Sequence, residues 1–206
     1  MRVGVLASGG GTNLQALLDT VHGGAVEIVA VASDQPAARA LERARAAGVA
    51  TRVFPRGDFR DRAARDAAVA GWLDEREVAL VVLAGYMAIL DDGFLERYAG
   101  RIVNVHPSLL PAFPGVRAIE QALAYGAKVF GVTVHFVEPG EVDSGPVILQ
   151  AAVEVPDAAA PADVLAAIRP LEHALLPRAV ALIAAGAVRR DPGHPRRVLV
   201  TPAGGA

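Results

Sequence analysis

Residues 78–84 read VALVVLA and residues 26–33 read VEIVAVAS, two runs that are apolar almost without a break. A strand with one wet face alternates apolar and polar residues, because successive side chains point to opposite faces. Strands that are apolar throughout are covered on both faces, as in parallel sheets packed between helices. The rest of the chain agrees. Short β-branched runs at 2–7, 51–54, 101–106, 130–138 and 147–154 alternate with Ala-rich helical segments near 12–21, 36–47, 59–76, 115–126 and 161–186. That alternation specifies an α/β fold, a doubly wound and mainly parallel sheet flanked by helices. The sequence shows no internal repeat and no long linker. Residues 1–190 are therefore expected as one domain, and 191–206, rich in turn residues and ending in Gly and Ala, as a loose C-terminal tail.

Open sheets of this kind bind ligands beyond the carboxyl ends of their strands. Two such ends carry residues that a core does not need. In IVNVHPSLLP (102–111), Asn104 and His106 lie two apart, on one face of a strand that Pro107 stops. Neither suits an apolar core without a hydrogen-bond partner. In ASGGGTNLQALL (7–18), a strand passes through a Gly-rich turn into a helix. Glycines let the backbone approach a ligand, and the free N–H groups of the helix attract an anion. Gly11, Thr12 and Asn13 are the candidate contacts, the plainer alternative being a tight turn with an N-cap and no ligand. Gly9-x-Gly11 also begins a dinucleotide fingerprint, and Asp34 lies where a ribose-binding acid would sit. Leu14, however, occupies the place of the third glycine. The loop also lacks the Gly-Lys-Ser/Thr ending of a triphosphate-binding loop, so a single phosphate fits it better.

Composition narrows the partners. The chain of 206 residues is 53% hydrophobic and 20% charged with net charge -2, a globular balance without the basic excess that nucleic acid selects. A small anionic ligand remains compatible with it. Without cysteine there are no disulfides or thiolate metal sites, which favours a cytosolic setting. No apolar stretch is long enough to span a bilayer, and the run at the N-terminus is too short for a signal peptide.

Four segments, SGGGTNLQAL (8–17), LAGYMAIL (83–90), NVHPSLLPAFPG (104–115) and GVTVHFVEPGEVDSGPVILQ (131–150), together with EHALLP (172–177), resemble the phosphoribosylglycinamide formyltransferases. The resemblance runs from residue 2 to about 190, and the Asn-x-His-Pro and Asp-x-Gly elements are shared by formyltransferases more widely. It implies transfer of a formyl group from 10-formyltetrahydrofolate, as co-substrate, to the amine of 5'-phosphoribosylglycinamide in purine biosynthesis, with no metal. It implies catalytic roles for Asn104, His106 and Asp143. It places the substrate phosphate on Gly11, Thr12 and Asn13, with further substrate contacts from Pro107 and Glu172. Folate contacts fall on Arg62, on the backbone of Met87, Ala88, Ile89 and Leu90, on Asn104, and on the loop 138–143 with Val142. It also implies small-molecule substrates, no nucleic-acid or membrane partner, a monomer or homodimer, and a cytoplasmic location.

The chemistry accounts for the residue types. Attack of an amine on a formyl carbon puts negative charge on oxygen, which the amide of Asn104 and a protonated His106 can meet. A carboxylate at Asp143, if close, would favour the imidazolium and relay a proton. Asp143 is otherwise an ordinary turn residue. His135 either supports the site or is a buried, paired histidine, and a metal triad of His106, His135 and Asp143 is set aside because the resembling family needs none. RDRAARD (60–66) reads as a solvated helix face, from which the resemblance alone singles out Arg62 as a ligand contact. Ala88 stands where many relatives carry a basic residue, so contacts there are expected to rest on backbone. Three other readings stay open: a formyltransferase for an amino-sugar nucleotide, an NAD-linked oxidoreductase using Gly9–Gly11 and Asp34, and a non-catalytic module for phosphate ligands.

Overall fold

Each apolar run becomes a strand in the computed structural model, which describes residues 1–201. The elements in chain order are β1 (Arg2–Leu6), α1 (Thr12–Thr20), β2 (Glu27–Ser33), α2 (Arg39–Ala46), β3 (Ala50–Val53), α3 (Arg62–Asp74), β4 (Leu80–Leu83), α4 (Asp92–Arg97), β5 (Ile102–His106), α5 (Ala118–Tyr125), β6 (Val129–Phe136), β7 (Val147–Glu154), α6 (Pro161–Ala184), β8 (Val188–Asp191) and β9 (His194–Val200). They fall into two compact units, Met1–Asn104 and Val105 onward.

In the first unit the strands lie in the order β3-β2-β1-β4-β5, every pairing parallel. The chain steps outward from β1 to β3, then returns to the other side of β1 as β4. Right-handed crossovers then place α1 and α2 on one face and α3 and α4 on the other. The helix contacts agree, since α1 touches α2 and α3 touches α4. The doubly wound, mainly parallel sheet is thus present, with its order reversing between β1 and β4. Val3, Val5, Val81 and Val82 are fully buried between the helical layers. Leu14 and Leu17, three apart on α1, are also fully buried. Each such side chain contributes roughly 1.5–3 kcal/mol.

α3 corrects the reading of 60–66 as a solvated face. Asp61 caps the helix by accepting from Ala64 N–H at 2.7 Å, and Arg62 is exposed, but Arg65 and Asp66 are buried. Positions 65, 66, 69, 72 and 73 share one stripe at helical spacing, so the same periodicity that buries Val69, Trp72 and Leu73 turns this pair inward. The charges concealed the stripe. α4 escaped the sequence reading because it is short. Asp91 caps it, accepting from Phe94 N–H at 3.0 Å.

In the second unit β6 and β7 pair antiparallel, with a register shift at Val134/His135, and α6 packs on both. β8 and β9 form an antiparallel hairpin whose second strand touches β7. Residues 194–200 therefore correct the expectation of a loose tail, while 202–206 lie outside the described residues. Turn residues on both sides of one short apolar run masked a strand that is stabilised by pairing rather than by burial.

Gly11, the N-cap of α1, has φ 70°, and a Cβ there would lie 2.6 Å from Ala40 Cα. Left-handed strain and overpacking both act on any larger residue. Gly11→Ala is expected to destabilise the protein by about 2–5 kcal/mol on those grounds. Urea unfolding measures it, and a loss under 1 kcal/mol would contradict the geometry.

Candidate active site

In the first unit, the Gly-rich loop leaves β1 at the reversal of strand order, where open α/β sheets bind ligands. α2 braces it. Ala40 N–H donates to Gly9 O at 3.1 Å, Arg43 Nε donates to Gly10 O at 2.9 Å, and Arg43 Nη1 donates to Gln15 Oε1 at 2.9 Å. Gly11 caps α1 without a side-chain hydrogen bond, and Thr12 and Asn13 follow, half-buried, in the first turn. A cleft of about 560 Å³ opens beside the loop, lined in part by Ser8, Gly9, Gly10, Gln35 and Met87. Asp34 does not face an open ribose site. It is buried, accepting from Ser8 Oγ at 2.5 Å and from Gln35 Nε2 at 3.0 Å. With buried Leu14 at the third-glycine position, this removes the basis for the dinucleotide reading.

The segment 85–91, between β4 and α4, flanks the same cleft through Met87. Ser8 N–H donates to Gly85 O at 3.0 Å, and Met87 N–H donates to Ser8 Oγ at 2.8 Å. Met87 and Ile89 are exposed (69% and 61%), whereas Ala88 and Leu90 are buried. Large apolar side chains held in water beside a cleft suit an apolar ligand.

In the second unit one carboxylate gathers the chemistry. Asp143 Oδ2 lies 3.2 Å from His106 Nδ1 and accepts from Gly115 N–H at 2.8 Å. Asp143 Oδ1 lies 3.5 Å from His135 Nε2. The remaining nitrogen of each ring meets a carbonyl, His106 Nε2 at 2.9 Å from Phe113 O and His135 Nδ1 at 2.9 Å from Phe136 O. A carbonyl only accepts, so Nε2 of His106 and Nδ1 of His135 donate. His106 thus has a carbonyl at one ring nitrogen and the Asp143 carboxylate at the other. Asn104 is half-buried two residues earlier on β5, on the same face as buried His106, and Pro107 follows at the strand end. The turn-residue reading of Asp143 does not account for partners so far along the chain. His135, buried on β6, is the residue that sequence reasoning left undecided, because its partner Asp143 lies on a separate loop.

The Asp-x-Gly element has a steric basis. Asp143 holds φ 56°, and a Cβ on Gly145 would lie 1.8 Å from Phe136 O. The loop can therefore turn back on β6 only with glycine there. The β8–β9 hairpin braces it from outside, with Arg190 paired to Glu138 and Arg196 Nη2 donating to Ser144 O at 2.7 Å. Val142 stands exposed on the same loop. Glu172 is half-buried on α6. Beside it, burial and then the charge of Arg169 hold His173 below the ordinary histidine value, and its buried Nε2 meets no hydrogen-bond partner among the described residues. Among the described residues no group of three His, Asp or Glu side chains is arranged to hold a metal ion, and no helix is long and apolar enough to cross a membrane.

The family model described as formyl transferase matches residues 1–180. The chain belongs to the formyl transferase family. Within that family, the phosphoribosylglycinamide formyltransferase of Escherichia coli (strain K12) is 41% identical over 191 residues, covering 92% of this chain and 90% of its own. The trifunctional purine biosynthetic protein adenosine-3 of Bos taurus is 43% identical over 190 residues, and that of Drosophila pseudoobscura pseudoobscura 42% over 193. This chain spans only 19% and 14% of the length of those two relatives. Among solved structures, glycinamide ribonucleotide transformylase 1 from Symbiobacterium toebii superposes with a TM-score of 0.92 at 46% identity, over 97% of this chain and 93% of its own.

Burial raises the proton affinity of Asp143, but the hydrogen bond from His135, the charge of His106 and the Gly115 N–H outweigh it, so its carboxyl lies below the ordinary 3.8. A depressed folded value means that the contacts stabilise fully above the unfolded value and are lost as pH falls through the folded one. Asp143→Asn should therefore destabilise most above about pH 5, the difference from wild type shrinking below about pH 3. Urea unfolding across that range tests this, and a pH-independent difference would refute it.

Proposed function

We propose that this formyl transferase moves the formyl group of 10-formyltetrahydrofolate to the amine of 5'-phosphoribosylglycinamide, yielding formylglycinamide ribonucleotide and tetrahydrofolate in purine biosynthesis. The observation that carries the reading is the grip of the Asp143 carboxylate on His106 at the end of β5, two residues beyond Asn104. A phosphate is the anion suited to the open N-terminus of α1, with Gly11, Thr12 and Asn13 around it. Pro107 and Glu172 are assigned to the rest of that substrate. Arg62, Met87, Ala88, Ile89, Leu90, Asn104 and Val142 are assigned to the folate. The protein then acts as one formyltransferase domain on small molecules, in the cytoplasm, as a monomer or homodimer and without nucleic acid.

When the amine attacks the formyl carbon, charge develops on the formyl oxygen. The amide hydrogens of Asn104 stabilise it, and so does His106 once its Nε2 exchanges the Phe113 carbonyl for the reacting oxygen. Asp143 orients the imidazole, and its carboxylate is the acceptor for the proton the amine loses on its way to the folate nitrogen.

Asn104→Ala should lower kcat roughly 10²–10³-fold, the usual effect of losing one such donor. Asp143→Asn should lower kcat far more than it raises the KM for folate. Formyl transfer followed by mass spectrometry of the ribonucleotide product tests both. Wild-type protein that leaves 5'-phosphoribosylglycinamide untouched but formylates an amino-sugar nucleotide would overturn the substrate assignment.

A further inference from the structure

The mechanism leaves a buried ion pair unused. Arg65 and Asp66 of α3 have side chains only 3% and 0% exposed, and they bind each other through Arg65 Nε and Nη2 to Asp66 Oδ1 at 2.7 and 2.6 Å. Each residue also reaches beyond the helix. Arg65 Nη2 donates to Ile89 O at 3.0 Å, and Asp66 Oδ2 accepts from Asp91 N–H at 2.8 Å. Both targets lie in the segment joining β4 to α4, one on each side of Leu90. Asp91 is also the N-cap of α4. Upstream, Met87 N–H is held by Ser8 Oγ. Backbone groups at 87, 89 and 91 are thus tied inward, while the side chains of Met87 and Ile89 stand in solvent.

Stability alone does not explain such a pair. Burying two charges costs about as much as their attraction returns, and apolar replacements are often neutral or stabilising. The cost is visible in Asp66, whose proton affinity burial raises despite the Arg65 hydrogen bond and charge. What an ion pair adds over two apolar side chains is direction, since it pulls one specific C=O and one specific N–H toward fixed points. The segment has no helical or strand hydrogen bonds of its own, and Ser8 ties only its start, so the peptide groups on either side of Leu90 depend on the ion pair.

We propose that the Arg65–Asp66 pair is a positioning device for the folate co-substrate. It holds the peptide groups flanking Leu90 so that Met87–Leu90 presents polar backbone edges between two exposed apolar side chains. The fitting ligand is a flat heteroaromatic ring with hydrogen-bonding edges. The inference rests on the assignment of 87–90 to the folate, and it adds two residues that touch neither substrate.

The test uses the full chain with Arg65→Lys and Asp66→Asn, each close to the original in volume. Binding of tetrahydrofolate is measured by calorimetry, and the KM for each substrate and kcat by transfer assay. The expected result is a tenfold or greater loss of tetrahydrofolate affinity and a matching rise in the co-substrate KM. The KM for 5'-phosphoribosylglycinamide should stay within twofold and kcat within threefold. Folded variants with wild-type tetrahydrofolate affinity would overturn the positioning role while leaving the proposed reaction intact. An equal rise in both KM values, or the failure of both variants to fold, would also overturn it, because the pair would then serve the core alone. Wild-type protein that does not bind tetrahydrofolate would remove the folate assignment itself.

Discussion

The carboxylate of Asp143 is the point on which the second unit's chemistry depends. An ionised carboxyl with only a tenth of its side chain exposed is costly unless each oxygen finds a donor. Here the donors come from three separate stretches of chain: His106 at the end of β5, Gly115 in the loop after it, and His135 on β6. Each is unremarkable in isolation. The carboxylate makes them interdependent, because removing it leaves two histidine nitrogens and a backbone N–H facing a poorly hydrated space. The left-handed backbone of Asp143 and the glycine two residues later are what bring the group there.

The first unit reaches a comparable economy through Ser8. Its N–H donates to Gly85 O, its hydroxyl accepts from Met87 N–H, and that hydroxyl in turn donates to buried Asp34. The Gly-rich loop and the segment after β4, which flank the reversal of strand order, therefore share one small side chain. Asp34 has a function in this unit, and it is orientation of a hydroxyl rather than recognition of a ribose.

Much of this was legible in the residues. The apolar continuity of 78–84 and 26–33 specified a covered parallel sheet, and β2 and β4 occupy those runs. Asn104 and His106 were placed on one face by strand period alone, and Leu14 argued against a dinucleotide because a buried leucine fills the position that needs a glycine. What escaped the sequence depends on contacts between distant residues. The charges of 60–66 concealed the inward direction of Arg65 and Asp66, since an ion pair can occupy an apolar stripe only when its partners are already present. His135 could not be ranked until the Asp143 loop was seen folded against β6. The hairpin at 188–200 carries too few apolar residues to announce itself, and the arginines that brace the loop look like ordinary surface charge.

That bracing also sets an order of events at the ribosome. Glu138 and Ser144 precede Arg190 and Arg196 by 52 residues. At a synthesis rate of about 5–20 residues per second, the Asp143 loop emerges roughly 3–10 s before the strands that hold it. The loop is thus made before the side chains that hold it in place. It acquires its outer supports only when Arg190 and Arg196, 52 residues further along, have been translated, so this centre is completed by residues made well after its own.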